Sequence, residues 1–373
     1  MSSPGLSAVI LAAGEGTRMR SDRPKPLHLL CGRAMLLYVI DALAACEIDR
    51  AVIVVGHGAE RVTKKLQEDG PDLVLDFVEQ RVQRGTGDAV SVGLTGFADD
   101  MYGDGGFDDE LDLLVLPGDT PLLRPETIAG LVAEHRRAGA ACTVLTAQLD
   151  DPTGYGRIVR GKNDEVRRIV EQSDATPEEA AIDEINTGIF CFRRSLLSPA
   201  LRRLSPENAQ GEYYLTDVVQ VLAEAGHPVS SHLATDPDET HGVNDRVQLA
   251  AAEAELRRRT NQGWLRRGVT MVDPATAYVD ATVELAPDVT LFPGVVLQGR
   301  TVVGADTEIG PGTRLVDCVV GSGVVLDQVT ARDAEIGNGA RVGPYALLEP
   351  GAQVPAGRVT GAFYTAGSSE PGD

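Results

Sequence analysis

The sequence predicts an α/β domain built on a mostly parallel sheet, followed by a β-helix of hexapeptide repeats. Three observations carry that prediction. From residue 7 to about 235, short apolar runs alternate with amphipathic ones, the βαβα pattern of a sheet covered by helices on both faces. Residues 244–267, "NDRVQLAAAEAELRRRTNQGWLRR", have helical composition and no proline, and read as a connecting helix. Beyond Gly268, Val279, Leu285, Leu291, Leu297, Val303, Ile309 and Leu315 recur every six residues, and the period resumes at Ile336, Val342, Leu348 and Val354. A sustained six-residue period marks a β-helix, three hexapeptides to a coil. An ordinary β-sandwich would show period two with irregular turns.

In chain order, "SAVILAA", "RAVIVVG", "LVLDFVE", "LDLLVLPGD" and "ACTVLTAQL" read as buried strands. Between them "AMLLYVIDALAACEI", "AERVTKKLQEDG", "TGDAVSVGLTGF" and "PETIAGLVAEHRRAG" read as helices. The predicted divisions are residues 1–243, a connecting helix 244–268, a β-helix over 269–356 with room for about four coils, and a polar, disordered tail 357–373. The acidic run 99–112, "DDMYGDGGFDDELD", lacks the alternating ligand spacing and terminal glutamate of a calcium loop and reads as a solvated surface loop.

Composition excludes some functions. The 373 residues carry 34 Lys and Arg against 55 Asp and Glu, a net charge of −21. Nucleic acid or an anionic membrane would need a basic face, so neither is expected as a partner. The five cysteines, at 31, 46, 142, 191 and 318, form no C-x-x-C pair or zinc spacing and read as reduced thiols. The N-terminal apolar run is too short for a signal peptide. The apolar stretch Ala34–Cys46 is interrupted by Asp41, so no membrane span is expected there. These features fit a cytoplasmic enzyme.

In such an acidic chain, a local knot of cations is informative. After the first strand, Gly14 and Gly16 lead into Arg18, Arg20, Arg23 and Lys25. The loop fails the dinucleotide pattern G-x-G-x-x-G, because position 19 is Met19, and it fails the P-loop, because no lysine follows a glycine. Small residues would still let backbone N–H groups approach phosphate oxygens, with Arg18 and Lys25 as countercharge. Asp119 ends the strand in "LPGDTPLL"; a lone carboxylate there suits Mg²⁺, which takes one or two protein ligands plus substrate phosphates. Gly14 and Asp119 both fall at the carboxyl ends of strands, where ligands of open α/β sheets bind. "EQRVQRGTGDA" offers Gln80, Gln83, Gly85 and Thr86 between a strand and a helix start, amides that can read a base edge. Gly156, Asn186 and Thr187 suit a polyhydroxyl ligand, and Asn244 in "HGVNDR" offers a neutral oxygen for the metal. Each piece alone could be an ordinary cap, turn or surface residue. Together, in this order, they outline one site.

On "LAAGEGTRM", "PKPLH", "EQ" followed by "GTG", "LDDPTGYGRI", "EINTGI", "NAQGEYYLTD" and "GVNDR", the chain resembles the bacterial bifunctional enzymes that make the cell-wall precursor UDP-N-acetylglucosamine. In these, an N-acetylglucosamine-1-phosphate uridylyltransferase is joined to a glucosamine-1-phosphate acetyltransferase. The resemblance covers roughly residues 7–356. It implies a Rossmann-like nucleotidyltransferase domain followed by a left-handed parallel β-helix that forms a homotrimer. It also implies that Leu11, Ala13 and Gly14 contact the nucleotide, and that Gln80, Gly85 and Thr86 read uracil, with Gln83 beside them. Arg18 and Lys25 would hold and stabilise the phosphates, Asp119 and Asn244 would bind Mg²⁺, and Gly156, Glu171, Asn186 and Thr187 would seat the N-acetyl sugar. The expected reaction is uridylyl transfer from UTP to N-acetylglucosamine-1-phosphate, releasing pyrophosphate without a covalent intermediate.

The departures lie at the C-terminal end. The last histidine is His241 and the last lysine Lys162, and Glu349-Pro350-Gly351 stands where the family has an "R-P-G" turn. The family continues for further coils that hold the acetyltransferase histidine and lysine. The β-helix is therefore expected to be structural, without acetyl transfer. A nucleotidyltransferase for another sugar-1-phosphate or dTTP in a specialised pathway remains an alternative. So does a non-catalytic trimer that only binds sugar nucleotide; an acyltransferase inferred from the hexapeptides alone is the weakest reading.

Overall fold

The computed structural model describes residues 5–97 and 111–367. The expected surface loop 99–112 lies outside the described residues except for Leu111 and Asp112. The chain divides into two compact units, residues 1–28 with 34–248, and residues 29–33 with 249–373.

The first unit is a nine-stranded sheet. Its main path runs Val229–Leu233, Cys142–Gln148, Glu184–Arg193, Asp112–Pro117, Leu6–Ala12, Arg50–Val55, Leu75–Glu79. Strand Gly156–Arg160 branches from Glu184–Arg193 and pairs with Val166–Val170. The five expected strands are all present. Their apolar runs are continuous because both faces are covered: Ala8 and Ile10 point into one core with Leu36, Leu37, Ile40, Ile128 and Leu131. Val9 points into the other with Val90, Leu197, Val218 and Leu222.

The sheet is mostly parallel, with Glu184–Arg193 antiparallel to both its main-path neighbours. From Leu6–Ala12 the chain steps outward to Arg50–Val55 and Leu75–Glu79, then returns to the opposite side as Asp112–Pro117. The carboxyl ends of Leu6–Ala12 and Asp112–Pro117 therefore flank a topological switch point, where such folds leave a crevice. In Glu184–Arg193 the register shifts between Asn186 and Phe190. Gly188 there takes φ +78°, and its N–H donates to Asn186 Oδ1 at 3.0 Å. Such a bulge re-aims side chains at a site, here within the antiparallel strand.

The second unit is a parallel β-helix. Strands of two to four residues stack into three sheets, every pairing parallel. The aliphatic residues at the hexapeptide positions are buried inside. The gap in the sequence period is filled by Val320, Leu326 and Ala331, which pair with Val303, Ile309 and Leu315. The period was hidden because three corners are one residue short, at Leu315 to Val320, Leu326 to Ala331 and Ala331 to Ile336. Buried threonines bond two of the shortened corners: the hydroxyls of Thr301 and Thr313 accept from the N–H groups of Cys318 and Val329, each at 3.2 Å, and Thr307 does the same for Val324 in the full-length corner between them. A buried N–H without such a partner would be costly.

The β-helix extends past 357, into the segment expected to be a disordered tail. Val359 bridges to Arg341, and Thr365–Ala366 pairs with Leu347–Leu348, so the coil runs on through Ala366. Backbone hydrogen bonding decided this, since the polar, glycine-rich sequence of that coil carries little aliphatic signal. The connecting helix is Arg246–Arg266, close to its expected bounds. Among the described residues no helix is long and apolar enough to cross a membrane.

Candidate active site

At the switch point a cavity of about 370 Å³ opens in the first unit. Leu11, Ala13 and Gly14 border it from the first strand end, Asp119 from the fourth, and Gln80, Gln83, Gly85 and Thr86 from the segment opening helix Thr86–Leu94. Lys25, Glu171 and Asn186 complete the predicted residues that line it. A Cβ on Gly14 would meet nothing within 4 Å, so its backbone borders open space that a ligand can approach. Gly85 has φ +110°, and a Cβ there would lie 2.6 Å from the Tyr213 carbonyl oxygen. Only glycine fits that conformation and that contact.

The charged centre is compact. Lys25, on the 3₁₀ turn Lys25–Leu27, donates from Nζ to Asp119 Oδ2 and, at 2.9 Å, to Asn244 Oδ1. Arg18 Nη2 reaches the same Asn244 oxygen at 3.0 Å. The Asp119 carbonyl also accepts from Val243 N–H at 2.8 Å, which ties the two loops together through the backbone. Arg18 and Asn244 are not part of the cavity wall but join it through these bonds. Two hard oxygens, one charged, converge on a single cationic point, the donor set that suits Mg²⁺ alongside phosphate oxygens. Among the described residues no three His, Cys, Asp or Glu side chains gather into a metal cage, so an ion here would take further ligands from a substrate or water.

The amides are fixed in place. Gln83 Nε2 donates to the Ala13 carbonyl at 2.7 Å, and the buried Gln80 donates to Asp88 Oδ2 at 2.8 Å. The Thr86 hydroxyl accepts from Leu215 N–H at 3.0 Å. On the other wall Glu171 accepts from the Thr216 hydroxyl at 2.9 Å. Burial pushes the Glu171 carboxyl above the usual glutamate range; Thr216 opposes this, and the nearby Asp217 and Asp174 add to it. Gly156 is absent from the cavity wall; it packs behind it, where a Cβ would lie 3.0 Å from Ile169 Cγ2 and 3.4 Å from Glu171 Oε2. Thr187 is buried with its hydroxyl donating to the Leu145 carbonyl at 2.7 Å. It is absent from the cavity wall, its hydroxyl being used inside the sheet.

The wall also includes Pro26, Phe190, Glu212, Leu215 and Thr216, none singled out from sequence as site residues. The run "NAQGEYYLTD" held the signal for three of them. Its aromatic and polar residues follow neither strand nor helix periodicity, so nothing in the spacing said which side chain faces inward.

A switch-point cavity with a lysine, an arginine and a carboxylate at one end and anchored amides along its wall defines a nucleotide-handling α/β protein, and residues 8–225 match the MobA-like NTP transferase domain family. The chain is 44% identical over 368 residues to the bifunctional protein GlmU of Brevibacillus brevis, covering 99% of this chain and 77% of that protein. It is 46% identical over 368 residues to the bifunctional protein GlmU of Streptomyces coelicolor (98% and 74% covered). For that of Mycobacterium bovis the identity is 44% over 375 residues (100% and 74%). The chain belongs to the GlmU family and is a sugar-1-phosphate nucleotidyltransferase.

Proposed function

We propose that the protein transfers the uridylyl group of UTP to N-acetylglucosamine-1-phosphate, with Mg²⁺, giving UDP-N-acetylglucosamine and pyrophosphate. The observation that carries this reading is the convergence of Lys25, Asp119 and Asn244 in the same cavity as the amides of Gln80 and Gln83 and the carboxylate of Glu171. A phosphate oxygen of the sugar-1-phosphate forms a bond to the α-phosphorus of UTP as the bond from that phosphorus to the β-bridging oxygen breaks. Pyrophosphate carries the electron pair away. Held by Asp119 and Asn244, Mg²⁺ would supply charge neutralisation on the phosphates. Lys25 and Arg18 add cationic charge aimed at the same oxygens, and the remaining catalysis is positioning. Gln80 and Gln83, with Gly85 and Thr86, present fixed polar groups to the base. Glu171 and Asn186 present acceptors and a donor to the sugar.

In this reading the β-helix is structural and supports a homotrimer. Val302 and Val319 are exposed at 39% and 53% and are register neighbours on one sheet face, an apolar strip that a second copy would cover. Acetyl transfer to an amine needs a base and a cationic pocket. Residues 269–373 carry five arginines, no lysine, no histidine and thirteen carboxylates, so this stretch offers no histidine or lysine base and its net charge is negative.

The test is a panel of sugar-1-phosphates and nucleotides with pyrophosphate release as readout, run beside acetyl-CoA consumption with glucosamine-1-phosphate. Fastest turnover with UTP and N-acetylglucosamine-1-phosphate, and no acetyl-CoA consumption, is expected. A preference for dTTP or another sugar would move the assignment to the alternative, and acetyl transfer at a comparable rate would overturn the structural role of the β-helix. Light scattering of the same sample should give three times the chain mass.

Arg18→Ala is expected to lower kcat about tenfold with little change in the KM of the sugar phosphate, because its charge is directed at phosphates rather than at the sugar. A rise in that KM alone would show that Arg18 serves the sugar instead.

A further inference from the structure

One short segment touches both walls of the cavity. Tyr213 N–H donates to the Arg84 carbonyl at 2.8 Å, and Gly87 N–H donates to the Tyr213 carbonyl at 2.8 Å. Leu215 N–H donates to Thr86 at 3.0 Å, and the next residue, Thr216, gives its hydroxyl hydrogen to Glu171 Oε1 at 2.9 Å. The segment is thus stitched to the nucleotide-side loop by three bonds before it reaches the sugar-side carboxylate. Thr216 itself is 5% exposed, so its hydroxyl has little freedom to seek another partner.

The surroundings make that bond consequential. The groups facing Glu171 are Asp217, on helix Asp217–Glu224, and Asp174, in the turn after strand Val166–Val170. The Tyr214 phenol lies beside the same carboxylates, and its hydroxyl donates to Asp174 at 3.5 Å. All are acids or a phenol. A half-buried carboxylate among other carboxylates turns away or takes up a proton unless a donor holds it.

We propose that Thr216 is a positioning residue: its hydroxyl fixes the Glu171 carboxylate in the cavity wall as an acceptor for a hydroxyl or amide donor of the sugar. The proposal rests on the reading of Glu171 as a sugar contact. With the hydroxyl in place, one oxygen is satisfied by Thr216 and the other is left for the ligand. Without it, the carboxylate protonates at a higher pH, and a protonated oxygen no longer accepts.

The experiment compares Thr216→Val, Thr216→Ser, Thr216→Ala and Glu171→Gln in steady-state pyrophosphate release with UTP and N-acetylglucosamine-1-phosphate, from pH 5 to 8. Thr216→Val should raise the KM of the sugar phosphate about tenfold at neutral pH, the usual effect of losing a hydrogen bond to a charged group. The KM of UTP and the melting temperature should change little. The rise in sugar KM on acidification should begin at higher pH than in the unaltered protein. Thr216→Ser should restore both, and Thr216→Ala should repeat the valine result, which separates the lost hydroxyl from crowding. Equal impairment by serine and valine, or a UTP KM that rises as much as the sugar KM, would overturn the positioning role. If Glu171→Gln raises the sugar KM and Thr216→Val does not, the positioning role fails while the sugar reading stands. If Glu171→Gln leaves the sugar KM unchanged, the sugar reading itself fails.

Discussion

Asp119→Asn should lower turnover by at least about a hundredfold and leave the fold intact. The carboxylate is the only charged oxygen in the proposed metal pair, Asn244 being neutral, and a divalent ion is held largely by charge. The substitution keeps the side chain's size. It also keeps the backbone bond by which the Asp119 carbonyl accepts from Val243 N–H at 2.8 Å, so the loop stays anchored. The loss should shrink as Mg²⁺ is raised, because weaker metal binding can be offset by concentration. Pyrophosphate release across a Mg²⁺ titration, with a thermal melt as control, checks this. Near-normal turnover at limiting Mg²⁺ would rule Asp119 out as the ligand.

Lys25→Ala should cost about a hundredfold to a thousandfold in kcat, the scale seen when a preorganised group that stabilises developing phosphate charge is removed. The Lys25 side chain is only 13% exposed and bridges Asp119 and Asn244. Its removal withdraws a positive charge that solvent cannot easily replace and loosens both oxygens. Arg18 is exposed and shares only the Asn244 oxygen, which is why its expected effect is smaller. Lys25→Arg should not restore activity, since a planar guanidinium cannot occupy the point on which the two oxygens converge. If saturating UTP returned Lys25→Ala to normal turnover, the lysine would be a binding group only, without preferential stabilisation of the transition state.

The two halves of the fold were readable for different reasons. Continuous apolar runs such as "AVILAA" and "AVIVVG" belong to strands buried on both faces, and burial on both faces leaves no polar positions to blur the signal. The hexapeptide period was readable wherever each corner kept its full length. It vanished between Leu315 and Ile336 because three one-residue deletions shift the phase, although the coil itself continues. No periodicity search can see that buried threonine hydroxyls keep two of the shortened corners bonded.

Gly14, Lys25, Asp119 and Asn244 could be grouped from the sequence because the phosphate and metal chemistry proposed for them calls for particular residue types at strand ends. Thr216 could not be, since a threonine before a helix is ordinarily a cap. The same holds for Thr187, a polar residue in a site motif whose hydroxyl is spent on the Leu145 carbonyl inside the sheet.

The sequence by itself determined the order of the two architectures, the strands that reach the switch point and the residue types that stand at their ends. These follow from local periodicity and from chemistry that needs certain side chains whatever their surroundings. Tertiary structure alone decided that Asn186 and Gly188 meet at a register shift in an antiparallel strand, and that Lys25 stands between Asp119 and Asn244, 94 and 219 residues away in the chain. It alone decided that Thr216 faces Glu171, 45 residues away. The physical reason is that a side chain's partner is set by which strand ends the sheet topology brings together, and hydrogen bonds across such distances leave no spacing in the chain to read.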